Sequence, residues 1–262
     1  MANEITTQIR GNAMIITFNR PDRGNAMTGD MAHQLFQTLK QVTVDRAVRA
    51  VMLRGAGGTF MDGMELGLYA GSDFNAGLER NSQMIQNYHS AIRELHVMDK
   101  PVLAVVEGKV SGAGLSLMLA ADLVLAGSGT QFSGGFTEHA MTPDGGATFF
   151  LTRKCGAAKA TEILMLGQPF DAATAERLTL VNAVVDSAKL EEEALNSLDR
   201  LTSGPTKAYG GIKRLVAKAF EQDLHAQLAL EHTYWGASSR SFDFRDAIKA
   251  YFAKRPPKFS GS

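Results

Sequence analysis

VLAVVEGKVSGAGLSLMLAAD, residues Val102 to Asp122, is the stretch around which the rest of the chain is organised. A continuous apolar run, Val102 to Val106, reads as a buried strand. Glycine-punctuated residues follow at Gly108, Gly112 and Gly114, and then an apolar helical run from Leu115 to Ala121 that ends at Asp122. Small residues at the start of that helix leave backbone N–H groups open to a ligand, and the helix dipole there favours negative charge. The same glycines would also permit close packing of strand on helix. Both readings stand at this level.

Working outward, the chain of 262 residues is 45% apolar and 21% charged with a formal net charge of zero. That is the size of one domain with at most a small appendage, and the balance carries no electrostatic footprint for nucleic acid. The single cysteine, Cys155, excludes an intrachain disulfide and a cysteine-cluster zinc site. No basic-then-apolar leader opens the sequence, no apolar run approaches a membrane span, and Ser260-Gly261-Ser262 is not a peroxisomal address. A cytoplasmic enzyme is expected, with no membrane contact.

Before the central stretch, alternation about Gly11-Asn12 predicts a hairpin over residues 5–19, and Thr28 reads as the N-cap of a helix carrying Met31, Leu35, Leu39 and Val42. Val51 to Leu53 reads as a buried strand, residues 72–78 as a mobile connection, and Glu79 to Val97 as a long helix broken by Asp99-Lys100-Pro101. After it, Leu123 to Ala126 reads as a strand and Ser133 to Thr148 as a loop over a ligand or an interface. Helices are expected over 158–166, 172–178, 190–201, 206–221, 224–238 and 243–253, with Pro205 in a first-turn position. Strands alternating with helices imply an α/β domain with largely parallel pairing. The division expected is a core over residues 1–200 and a helical oligomerisation region over 201–262.

Several chemistries are excluded by motif. Gly112 and Gly114 lack the third glycine of a dinucleotide fingerprint, where Leu117 stands. No phosphate-binding P-loop is present, and neither Ser111 nor Ser116 lies in a nucleophile elbow. The six histidines show no zinc-protease spacing, and His89, His96 and His232 read as helix-surface or core residues. No metal site is expected.

Taken together, the segments resemble the crotonase superfamily of enoyl-CoA hydratases and isomerases over nearly the whole chain. Asn19-Arg20-Pro21 with Asn25-Ala26 looks like that family's first CoA loop, and Phe60 to Leu66 like its Phe-x-Ala-Gly-x-Asp-Leu segment. Lys100 to Val102, Gly108 to Gly114 and Ala121-Asp122 match the central strand, turn and helix, and Lys254-Arg255-Pro256 the closing segment. The resemblance implies a crotonase (ClpP-like) spiral of repeated β-β-α units with a C-terminal helical trimerisation region. It implies a homotrimer or a dimer of trimers. It also implies a coenzyme A thioester as substrate, with no permanently bound cofactor. In this family two backbone N–H groups hold the thioester oxygen as it becomes an enolate; here these are those of Met64 and Ala113. Carried over for CoA and substrate binding are Arg23, Ala26, Asp62, Met64, Leu66, Gly112, Ala113, Ser116, Phe136 and, from a neighbouring subunit, Lys254. Asp62 stands where alanine is usual, and the sequence offers no reason for a carboxylate there.

Hydratases of the superfamily use two glutamates to activate water. Ser116 stands at the first position and a gapless match places Phe136 at the second. Neither can take a proton from water at neutral pH. A displaced Glu138 would be the remaining route to hydration. The segment from Phe136 to Asp144 instead looks like the isomerase branch, which carries a carboxylate directly after the proline of this turn, here Pro143-Asp144. Asp144 is therefore expected to move the proton in a double-bond migration, its basicity raised by an apolar pocket of Phe136, Phe149 and Leu115. The competing structural role is capping of the helix that begins near Gly145. Hydration through Glu138, or a catalytically silent acyl-CoA-binding protein, are the alternatives to isomerisation.

Overall fold

The N-terminal hairpin forms as β1 (Ile5–Arg10) and β2 (Ala13–Phe18), paired antiparallel about Gly11 and Asn12. The computed structural model describes residues 3–69 and 74–262. Thr28 caps α1 (Gly29–Val44) by accepting a hydrogen bond from Met31 N. A three-part pattern then recurs, strand, strand, helix. Its first copy is β3 (Ala50–Gly55), β4 (Met61–Asp62) and α2 (Phe74–Val97); the second is β5 (Val102–Val106), β6 (Lys109–Ser111) and α3 (Ala113–Leu119); the third is β7 (Leu123–Gly127), β8 (Gln131–Ser133) and α4 (Ala147–Leu166). The chain continues through β9 (Phe170–Asp171), α5 (Ala172–Arg177), β10 (Ala183–Val185), α6 (Leu190–Ser203), α7 (Thr206–Lys218), α8 (Leu224–Ser239) and α9 (Phe242–Phe252). Of the connection expected over 72–78, residues 72 and 73 lie outside the described residues, and the rest opens α2.

The first strand of each copy enters one sheet and the second strand enters another. The larger sheet has the order β1-β2-β3-β5-β7-β10 and is parallel from β2 onward; the smaller is β4-β6-β8-β9. This is the spiral of β-β-α units, and β5 lies inside it with all five residues buried. Parallel strands are covered on both faces. Ile16, Phe18, Val51, Leu53 and Ala104 pack toward α1, α2 and α3, while Ile15, Met52, Leu103 and Val105 pack under Leu190, Ala194 and Leu198 of α6. Among the described residues no helix is long and apolar enough to cross a membrane.

The structure departs from the sequence reading in three further places. The glycine turn contains a strand, β6, whose three residues are too few to show a period. α4 begins at Ala147 rather than 158, because Gly156 (φ 79°, ψ 160°) kinks it and puts its two apolar runs out of phase. Pro205 is the N-cap residue of α7 rather than a member of its first turn.

Candidate active site

Two loops meet at the mouth of the small sheet. β4 and β6 are paired with Asp62 opposite Ser111, and each strand runs on into a glycine, Gly63 and Gly112. Gly63 N donates to Ser111 O (3.1 Å) and Gly112 N to Gly134 O (3.1 Å). Gly112 has φ 48°, so the position favours glycine for its backbone conformation, and a Cβ there would lie 3.4 Å from Gly63 Cα, in contact with the other loop. The next N–H groups along the two loops are those of Met64 and Ala113. Among the described residues neither has a hydrogen-bond acceptor, although Met27 N donates to Gly63 O and Glu65 N to Met27 O on either side of Met64. Both residues line one cleft of about 320 Å³, with Asp62, Leu66, Phe136 and Glu138. Unpaired backbone donors beside a cleft are what a developing oxyanion requires.

The loop over residues 19–27 is pinned against this wall. Asn25, fully buried at φ 55°, accepts from Arg20 N (2.7 Å) and donates to Thr59 O (2.6 Å). Arg20 donates to Ala26 O (2.8 Å) and pairs with Glu65 (3.1 Å), and that hydrogen bond holds the Glu65 carboxyl below its ordinary range, helped by Gly67 N. The carboxylate of Asp62 also finds its reason here. Ser111 Oγ donates to it (2.8 Å) and Lys109 Nζ lies 3.2 Å away, so it enters the cleft wall already paired.

Asp144 sits on the turn before α4. Ser116 Oγ donates to its carbonyl (2.9 Å), Gly145 N donates to His89 Nε2 (3.1 Å), and Ala147 N returns to Asp144 O (3.1 Å). The carboxylate does not cap α4, whose N-cap is Gly146 without a side-chain bond. Asp144 Oδ1 is buried and has no hydrogen-bond partner. Burial raises its pKa above the ordinary value, opposed by the nearby His89. A carboxylate in that state is a stronger base than an exposed aspartate.

Met64, Ala113, Asp62, Leu66, Gly112 and Phe136 share the cleft. Asp144 is not among its lining residues; its turn is tied to α3 through Ser116. Ser116 differs from the expectation of a substrate contact, because it is fully buried with its hydroxyl committed to the carbonyls of Gly112 and Asp144. Phe149 likewise faces elsewhere, into a separate apolar cavity with His96, Phe150 and Arg153. Arg23 and Ala26 lie on the pinned loop, Arg23 exposed, and Lys254 is exposed just after α9. Sequence reasoning missed His139 and Met141 in the cleft wall, and Tyr88 and His89 behind the turn. The only signal for the last two was their place in the helix preceding the central strand.

Known proteins resemble the chain along nearly its whole length. Residues 8–262 match the family model described as enoyl-CoA hydratase/isomerase. The chain is 33% identical over 261 residues to 1,2-epoxyphenylacetyl-CoA isomerase of Escherichia coli, covering 100% of both chains. It is 32% identical to a protein of Rhodobacter capsulatus named "Probable enoyl-CoA hydratase", covering 98% of each. A crystal structure of an enoyl-CoA hydratase from a Polaromonas species superposes with a TM-score of 0.92 at 30% identity, covering 97% of this chain and 99% of that one.

Proposed function

Because this chain belongs to the enoyl-CoA hydratase/isomerase family, we propose that it is an acyl-CoA isomerase whose single proton-transfer group is Asp144. The observation that carries the reading is the Asp144 carboxyl group, whose Oδ1 is buried without a hydrogen-bond partner, held on a turn bonded to the same helix that presents Ala113. In the proposed reaction the carboxylate removes a proton α to the thioester of a 3-enoyl-CoA. The electron pair moves into a dienolate whose oxygen is held by Met64 N and Ala113 N. The same carboxyl group returns the proton at the γ carbon, leaving the double bond between α and β carbons. One group that is both base and acid suffices, and no resident cofactor enters the balance. Loop 19–27, Asp62 and Leu66 are proposed to hold the CoA portion, with Lys254 reaching it from a neighbouring subunit of a trimer or a dimer of trimers. The proposed location is the cytoplasm.

The test is conversion of a 3-enoyl-CoA to the 2-enoyl product, followed by absorbance. Asp144→Asn should bind the CoA ester and fold but lose at least about 10²-fold in rate. Unchanged turnover in that variant removes the assignment.

Hydration is the second reading, and the position of Glu138 favours it. Glu138 lines the cleft beside Met64 and Ala113, which Asp144 does not. Water addition to a 2-enoyl-CoA that is abolished by Glu138→Gln and kept by Asp144→Asn would install that reading. A protein that binds the ester and turns over neither substrate is an acyl-CoA-binding protein.

A further inference from the structure

Tyr88 lies on α2, 2% exposed, and its hydroxyl donates to Ala113 O at 2.5 Å. That carbonyl lies in the first turn of α3, where helix geometry already supplies it with an N–H four residues on. A phenol here is therefore not needed to satisfy α3, and a phenylalanine would fill the same space without bringing a hydroxyl that must find a partner. The ring also backs the Asp144 turn. A Cβ built on Gly145 (φ 58°) would lie 2.5 Å from Tyr88 Cε1 and 2.8 Å from its hydroxyl, with Ser116 Cβ also at 2.8 Å. Gly145 must be glycine for this approach as well as for its backbone conformation. One side chain thus touches the oxyanion donor's residue on one side and the turn of the base on the other. Burial, and after it the charge of Asp144, push the phenol pKa well above its ordinary value, so the hydroxyl keeps its proton.

We infer that Tyr88 is a positioning residue for the reaction, fixing the spacing between the Ala113 donor and the Asp144 carboxylate through its bond to Ala113 O and its contact with Gly145. The inference rests on the assignment of Asp144 and Ala113 above. A small misplacement of reacting groups lowers turnover without weakening binding of the remote part of a substrate.

The experiment compares wild type, Tyr88→Phe and Asp144→Asn in three measurements. These are kcat and KM on a 3-enoyl-CoA, the dissociation constant for a saturated acyl-CoA, and exchange of that ester's α-protons into D2O. Tyr88→Phe should lower kcat and the exchange rate by about 10-fold or more, with KM and the dissociation constant within about two-fold of wild type. A merely structural tyrosine would instead weaken binding and lower the thermal midpoint, leaving kcat of the folded fraction unchanged. If Asp144→Asn is inactive while Tyr88→Phe turns over like wild type, this inference alone is overturned. If wild type neither isomerises nor exchanges, the parent assignment falls and takes this one with it. Should Tyr88→Phe not fold, Tyr88→Met, which fills the core without a hydroxyl, carries the same expected split and the same refutation.

Discussion

A single carboxylate raises the most pointed question at the scale of residues, because Asp144 is half-buried and its buried Oδ1 has no partner. Burial raises its pKa in the folded chain, so between the unfolded value near 3.9 and the raised one the folded state holds the extra proton. Its contribution to stability is thus fully present below the unfolded pKa and is lost as pH rises through the folded pKa. At pH 7 the desolvated carboxyl group is therefore a net cost, which Asp144→Asn removes. The variant should melt about 2 °C or more above wild type at pH 7, with the difference shrinking toward pH 4. A lower midpoint at pH 7 would show that the carboxylate is compensated after all. The same shift sets the acid limb of catalysis: kcat should fall as pH drops through the raised pKa, since only the carboxylate accepts a proton. Asp144, Met64 and Ala113 were put forward from the sequence because each stands beside a glycine or proline at a fixed place in a motif of the family the chain resembles; their roles remain proposals. Tyr88 was not. It shares an apolar helical stripe with Met84, Ala91 and Leu95, and there a tyrosine reads as one more core side chain.

Among elements, the central stretch ends on a residue with more work than its position suggests. Asp122 Oδ2 accepts from Val102 N (2.8 Å), closing the start of β5 onto the end of α3, and also meets Lys213 Nζ (2.8 Å). Lys213 lies on α7, and its side chain is only 8% exposed; it also donates to Leu95 O (2.5 Å) at the end of α2. One ammonium therefore holds α7 against α2, β5 and α3. Breaking a buried pair from one side strands the other charge, so Lys213→Met should cost about 3 kcal/mol in urea unfolding. Removing both partners with Asp122→Asn and Lys213→Met should cost less than the sum of the single changes. Additive losses would mean that the pair is not coupled. Long-range ties of this kind leave no trace in a local pattern, which is why Asp122 read only as the end of a helix. The same limit hid the small sheet. β4, β6, β8 and β9 have two or three residues each, below the length at which alternation can be recognised, whereas β5 and α1 declared themselves by run length and by a capped apolar repeat.

For the molecule as a whole, the helical tail was legible as helices, but what covers it was not. α8 has no buried residue, and its apolar positions therefore do not point to this chain's own core. Trp235 on α8 is 66% exposed, Phe242 and Phe252 on α9 are 69% and 78% exposed, and Val216 and Phe220 in and just after α7 are open as well. Isolated exposed apolar side chains are ordinary, but large ones on three successive helices are what the proposed oligomer would need to cover. An oligomer would bury these faces and bring the exposed Lys254, just beyond α9, toward a neighbour. Light scattering should therefore give a mass near three or six times the 28.2 kDa of one chain. Trp235→Glu places a charge in that contact and should shift the mass toward one chain while the far-ultraviolet spectrum of the spiral core is kept. If Lys254 completes the CoA site in trans, the dissociated variant should also show a KM raised several-fold, and Lys254→Ala in the intact oligomer should raise it to a similar degree. A chain that scatters as a monomer at micromolar concentration would sink both expectations together, because the apolar tail would then be uncovered in the working enzyme and Lys254 would have no neighbouring site to reach.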